Sequence, residues 1–240
     1  MLKNKIVEIG AARVAPVTRQ SFELDFLLQP LDIPVLPETL LRMELSLGGP
    51  SVSLGEISKI VAGDLGATMH VFRLAGCQQP AGSNPFSRVE DCLSYLGIRE
   101  CIIGLSKRLA YRSGRKDAVI DAWAHAGTIA AFCSLWAEMH DERINPEEAY
   151  LVGLFHELGT LPVLLQWDAA AWGQTDGPTV GLWLAARCAL PDCVNDYFSA
   201  QKVQGTPSHW LNVVKQAYRL ATESAIDDCQ FQPRTSLSYR

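Results

Sequence analysis

An all-α fold is what this sequence predicts, and three observations carry that reading. From Leu31 onward the apolar residues recur at spacings of three and four, the period of a helix facing a core. Helix start and stop residues divide the chain into lengths that suit helices, with prolines at 34, 37, 146, 191 and 207 and glycines at 48, 49, 97 and 159. The most apolar stretch, 118–139, is interrupted by Asp121, His125 and Glu138, so it reads as a buried core helix and not as a membrane span.

The elements follow in order. Residues 1–30 give no clear pattern; 6–9 and 21–29 are the places where a strand or helix would fall. A helix is expected over 38–47, ended by Gly48 and Gly49. Ser53 and Glu56 have the spacing of a capping box, in which a hydroxyl and a carboxylate satisfy orphan amides at a helix start. The helix behind them buries Ile57, Ile60 and Val61. Asp64 caps the next, with Met69, Phe72 and Leu74 among its apolar residues, and a loop is expected at Gly76 and over 78–85. Further helices fall over 88–96 and 98–112, separated at Gly97. The long helix at about 117–139 places His125, Ile129, Phe132, Trp136 and Met139 on one face. Asn145, Pro146 and Glu148 open another, running to Leu158 and stopped by Gly159. Three more are expected near 177–189, 191–202 and 207–223. The domain therefore spans 31–223, with 224–240 as a tail.

With 48% hydrophobic residues there is ample material for one core. A formal net charge of −5 gives no general attraction to nucleic acid. Seven cysteines, Cys77, Cys92, Cys101, Cys133, Cys188, Cys193 and Cys229, contain no Cys-x-x-Cys pair, which fits free thiols in a reducing compartment. The first ten residues lack an apolar stretch of signal-peptide length, so a cytoplasmic location without membrane insertion is expected. The tryptophans at 123, 136, 167, 172, 183 and 210 are spaced as packing residues.

The common nucleotide-binding loops and the Gly-x-Ser-x-Gly elbow are absent from the sequence. Two histidines sit within apolar helices: His125 in the long one, and His156, with Glu157 beside it, at the end of the helix opened by Asn145. Nitrogen and oxygen donors together suit zinc, manganese or iron, and a metal held there could activate water against a phosphoester. A histidine on an apolar face is more often simply hydrogen-bonded in the core, and three donors are few for a catalytic centre. Arg108, Arg112, Arg115 and Lys116 form a basic cluster at a helix end, either a solvated terminus or a docking patch for an acidic partner, nucleotide or other anion.

Ile33, Pro34, Val35, Leu36 and Pro37 before a helix, a capped helix at Ser53, and Asp64 with its apolar helix resemble the first half of an HDOD domain, the HD-related output domain. The resemblance continues through Val89 to Leu96 and Gly97, then Trp123, Ala124 and His125. It is sharpest from Glu147 to His156, Glu157, Leu158 and Gly159, similar to a family segment ending His-Asp-Ile-Gly-Lys. Leu184, Ala185, Leu190 and Pro191 are similar to a later Leu-Ala-x-x-Trp-x-Leu-Pro stretch.

The resemblance implies a helical bundle with an N-terminal helical subdomain and a degenerate HD-like helical subdomain. The wider superfamily holds metal through a histidine, a His-Asp pair and a later aspartate. His125 and His156 match the histidines, Glu157 stands for the paired aspartate, and Tyr218 stands where the last aspartate falls. Gln201 and Lys202 replace a His-His pair, Gly76 and Cys77 replace Asn-Ser, and Thr160 replaces the lysine. These departures remove donors. The expectation is a non-enzymatic bacterial signal-transduction or regulatory module, without a cofactor, acting through a signalling protein partner or a small ligand. The alternative is a metal-dependent phosphohydrolase or cyclic-nucleotide phosphodiesterase built on His125, His156 and Glu157. A vestigial pocket that binds a nucleotide or anion without turnover, lined by Arg108, Arg112 or Lys116, is the third.

Overall fold

Helix α1, Pro37–Leu47, begins where Pro37 takes a first-turn position, at which its missing N–H costs no hydrogen bond. The structure, a computed structural model, describes residues 31, 33–49, 53–80, 82–107, 116–167, 175–203 and 208–230, apart from the side chains of 116 and 225–230. The N-terminal segment 1–30 lies outside the described residues, as do residues 231–240 of the expected tail.

Helices α2 (Leu54–Ala62), α3 (Leu65–Gln78), α4 (Val89–Leu96) and α5 (Ile98–Ser106) complete a first group that packs mainly on itself. The long α6 (Lys116–His140), α7 (Pro146–Phe155), a 3-10 turn (Leu158–Thr160), the short α8 (Leu161–Leu164), α9 (Gly177–Arg187), α10 (Asp192–Lys202) and α11 (His209–Gln230) form the second. No strand occurs among the described residues. The fold is the expected helical bundle with two helical groups.

Several local details differ from the expectation. Ser53 makes no capping bond; Glu56 accepts instead from Ser46 Oγ at 3.4 Å. Helix α3 does not break at Gly76 but continues to Gln78. Gly76 serves close approach: a methyl group there would lie 2.5 Å from the Ala189 Cβ. Gly97, at φ +81°, does divide α4 from α5 as expected. Helix α11 runs on to Gln230, past the expected end at 223.

The buried seam of α6 is Val119, Trp123, Ala126, Ala130, Cys133 and Ala137, not the face chosen from its large residues. Ile129 is buried, but Met139 is exposed and His125, Phe132 and Trp136 lie at the margin. Small side chains decide this, because they let α7 approach closely. Gly153 of α7 meets α6 so tightly that a methyl there would lie 2.7 Å from the Ala130 Cα.

One carboxylate ties the two groups together. Asp64 is fully buried and accepts four hydrogen bonds, two on each oxygen. Leu36 N and Thr39 Oγ1 each donate to Oδ2 at 2.8 Å, and Ala67 N and Trp123 Nε1 each donate to Oδ1 at 3.0 Å. The helix cap read from the sequence is therefore one bond of four. Burial pushes the Asp64 pKa up, while the four donors oppose that shift. Four donors fill the acceptor positions of an ionised carboxylate. Nearby, His70 Nε2–H donates to the Ile33 carbonyl at 2.8 Å, fixing the same extended entry strand of chain. The second cross-tie is Tyr150, whose hydroxyl donates to Ala62 O at 3.1 Å.

Replacing Asp64 by alanine strands four donors, three of them in the buried interior. Urea denaturation of Asp64→Ala is expected to show a loss of about 3–5 kcal/mol. Asp64→Asn is expected to lose less but still more than about 1 kcal/mol, because its amide N–H groups face two of the donors. A loss below about 1 kcal/mol in the alanine variant would remove this carboxylate as the tie.

Candidate metal centre

Helix α7 starts at Asn145, whose side chain accepts from Glu147 N at 2.9 Å, with Pro146 in the first turn. It stops at Phe155, and His156 and Glu157 form the turn into the 3-10 segment. Gly159 packs on the backbone of Gly177, and a methyl group there would overlap it, so the chain must bend at this point. The bend turns His156 back on its own helix, where Nδ1–H donates to Gly153 O at 2.6 Å. Helix α6 brings in His125 from the margin of its seam, and α11 brings in Tyr218, next to the buried Ala217.

His125, His156 and Glu157 converge, their donor atoms all within 4.8 Å of one another. The Tyr218 hydroxyl stands among them, 2.7 Å from His156 Nε2, 3.1 Å from His125 Nε2 and 3.4 Å from Glu157 Oε1. With Nδ1 protonated, neutral His156 offers a lone pair at Nε2. The single Tyr218 proton goes to that shortest contact, and the phenol oxygen accepts from His125 Nε2–H. Burial lowers the His156 pKa, which keeps the ring neutral, and pushes the Tyr218 phenol up to about 12. The His156 side chain is only 3% exposed, while those of His125 and Glu157 are 41% and 46% exposed.

With the Tyr218 hydroxyl in this position, a metal ion does not fit among the three donors. Tetrahedral ligands at about 2.1 Å from an ion lie about 3.4 Å from one another. Tyr218 and His156 approach to 2.7 Å, a direct hydrogen bond, and the hydroxyl takes the ground that an ion would need. What the residues form is a hydrogen-bonded chain from His125 through Tyr218 and His156 to the Gly153 carbonyl.

Arg108, Arg112 and Arg115 lie outside the described residues, and Lys116 opens α6 with its side chain outside them. Gln201 and Lys202 end α10. Of the tryptophans, Trp123 and Trp210 are buried, Trp136, Trp167 and Trp183 pack partly against the core, and Trp172 lies outside the described residues. Cys92, Cys101, Cys133, Cys188 and Cys193 are buried free thiols and Cys77 is exposed. A separate cleft of about 340 Å³ is lined by Ser58, Lys59, Arg88, Ser134, Glu147 and Tyr150, with an Arg88–Glu147 ion pair at its edge. Periodicity could not reveal this cleft, because its lining comes from four separate helices.

The HDOD domain model matches residues 33–175, more than half of the chain. The chain belongs to the HDOD family. Among solved structures, this HDOD protein is similar to the MmoQ response regulator of Methylococcus capsulatus, at 18% identity over 85% of this chain and 88% of that one, with a TM-score of 0.63. A virulence factor from Campylobacter jejuni matches at 16% identity over 79% of this chain and 75% of that one, with a TM-score of 0.57. At such identities the likeness concerns the fold. No curated protein gives a significant match. The family match includes His125, His156 and Glu157 and ends before Tyr218.

The pH dependence of stability follows from His156. An unfolded histidine titrates near 6.5, and burial holds the folded one lower. As pH falls through about 6.5 the unfolded chain takes up a proton that the folded chain resists, so stability is full above that pH and declines below it. The urea midpoint is expected to drop between about pH 7 and pH 5, and to drop less in His156→Gln. Equal drops in the two proteins would mean that His156 is not held neutral.

Proposed function

We propose that this HDOD protein is a non-enzymatic regulatory module of bacterial signal transduction, acting through binding to a protein partner or a small ligand. The observation that carries the reading is Tyr218. Its hydroxyl completes a hydrogen-bonded cluster with His125 and His156, in place of the carboxylate and ion that hydrolytic chemistry needs. The family membership and the fold shared with a response regulator support a regulatory role of this general kind. The Arg88-edged cleft supports binding, since its volume falls within the range of small-ligand sites.

The alternative, a metal-dependent phosphohydrolase or cyclic-nucleotide phosphodiesterase, draws on the convergence of His125, His156 and Glu157. The two readings separate on metal content. Untagged protein exposed to manganese or zinc and then dialysed is expected to retain well under one ion per chain by mass spectrometry, the same as His125→Ala. Tyr218→Asp, which restores a carboxylate in place of the phenol, is expected to retain more. Near-stoichiometric metal in the native protein, lost in His125→Ala and accompanied by turnover of a phosphodiester, would overturn the regulatory reading.

A further inference from the structure

The cleft of about 340 Å³ lies where the two helical groups meet, for α2 and α4 of the first and α6 and α7 of the second all contribute to its lining. The bond from the Tyr150 hydroxyl to the Ala62 carbonyl crosses that junction between two residues of the lining. Ala62, Val89 and Leu151 make part of the lining apolar, and the volume is that of a small-molecule site.

The polar groups of the cleft fall into two sets. In the first, Arg88 Nη2 donates to Glu147 Oε1 at 2.8 Å and to Glu90 Oε2 at 3.4 Å, so both carboxylates are engaged with one guanidinium. Two carboxylates against one guanidinium leave a negative charge in excess there. In the second, Lys59 has no hydrogen-bond or ion-pair partner among the described residues, and neither do the hydroxyls of Ser58 and Ser134.

Hydroxyls on a helix commonly return their proton to a carbonyl of the preceding turn. Thr128 of α6 and Thr222 of α11 do so, at 2.9 and 2.8 Å. Ser58 and Ser134 do not. What the cleft leaves available is therefore three donor groups, while its carboxylates already have a partner.

We propose that this cleft binds a small organic monoanion, a carboxylate carried on an apolar body, with the carboxylate at Lys59 and the body against Ala62, Val89 and Leu151. Charge-assisted bonds from an ammonium to a carboxylate are among the stronger hydrogen bonds. A dianion such as a phosphate monoester fits worse, because the excess negative charge of Glu90 and Glu147 faces the same space. The inference rests on the regulatory reading and names its ligand class. An occupant would touch both helical groups and so hold their junction closed.

The test is calorimetric titration of the full chain with phenylbutyrate, with phenylbutanol, which keeps the body and loses the charge, and with phenyl phosphate. Phenylbutyrate is expected to bind at one site per chain, about tenfold more tightly than either of the others. Lys59→Met, at an exposed position, is expected to erase the advantage over phenylbutanol and to leave Tm unchanged. Ser134→Leu, which fills the cleft from α6, is expected to weaken phenylbutyrate and phenylbutanol alike. No saturable binding of phenylbutyrate, equal affinity for phenylbutanol, tighter binding of phenyl phosphate, or an undiminished affinity in Lys59→Met would each overturn the site. Such a failure leaves the regulatory reading to its metal measurement, whereas near-stoichiometric metal with turnover overturns that reading whether or not phenylbutyrate binds.

Discussion

The buried carboxylate of Asp64 is the constraint on which the arrangement of helices depends. It holds the entry segment through Leu36 and Thr39, starts α3 through Ala67, and reaches into the second helical group through Trp123. A charge taken out of water is tolerated only where its acceptor positions are filled, and here each oxygen takes two donors. That requirement fixes α6 relative to α3, because Trp123 must present its ring N–H at one angle and depth. His125 lies two residues further along α6, so its position follows from the same tie.

Close approach does the remaining work. Ala126, Ala130 and Ala137 on α6, with Gly153 on α7, bring two helices nearer than large side chains would allow. The imidazoles of His125 and His156 consequently lie 5.6 Å apart between centroids, with the Tyr218 ring 5.7 and 5.4 Å from them. Three polar rings meet there because the apolar seams on either side leave them no other place. The cluster is thus a product of core packing, and its single hydroxyl satisfies two nitrogens that would otherwise compete for water.

Helical periodicity and start signals located nearly every helix, because those features are local: Pro146 and Asn145, or Gly97 between α4 and α5, act within a turn of themselves. The choice of buried face on α6 failed because size was taken as the guide, whereas the tightest contacts belong to alanine and glycine. Asp64 read as a helix cap, and nothing local to residue 64 marks Leu36, Thr39 and Trp123 as further donors, which lie 28, 25 and 59 residues away. His125, His156 and Glu157 were legible through their helical setting and the family resemblance. Tyr218 was legible only as a missing aspartate. That its hydroxyl fills the space among the donors depends on where α11 docks, which no pattern within α11 specifies.

Tyr218 belongs to α11, the last helix among the described residues, whereas the three donors that it joins belong to α6 and to the turn after α7. The order of the chain therefore separates the donors from the group that satisfies them. Until α11 docks, His125 and His156 lack the hydroxyl that joins them. Docking of α11 is then the step that gives both nitrogens their partner, so the polar cluster closes only when the apolar face of that helix is buried.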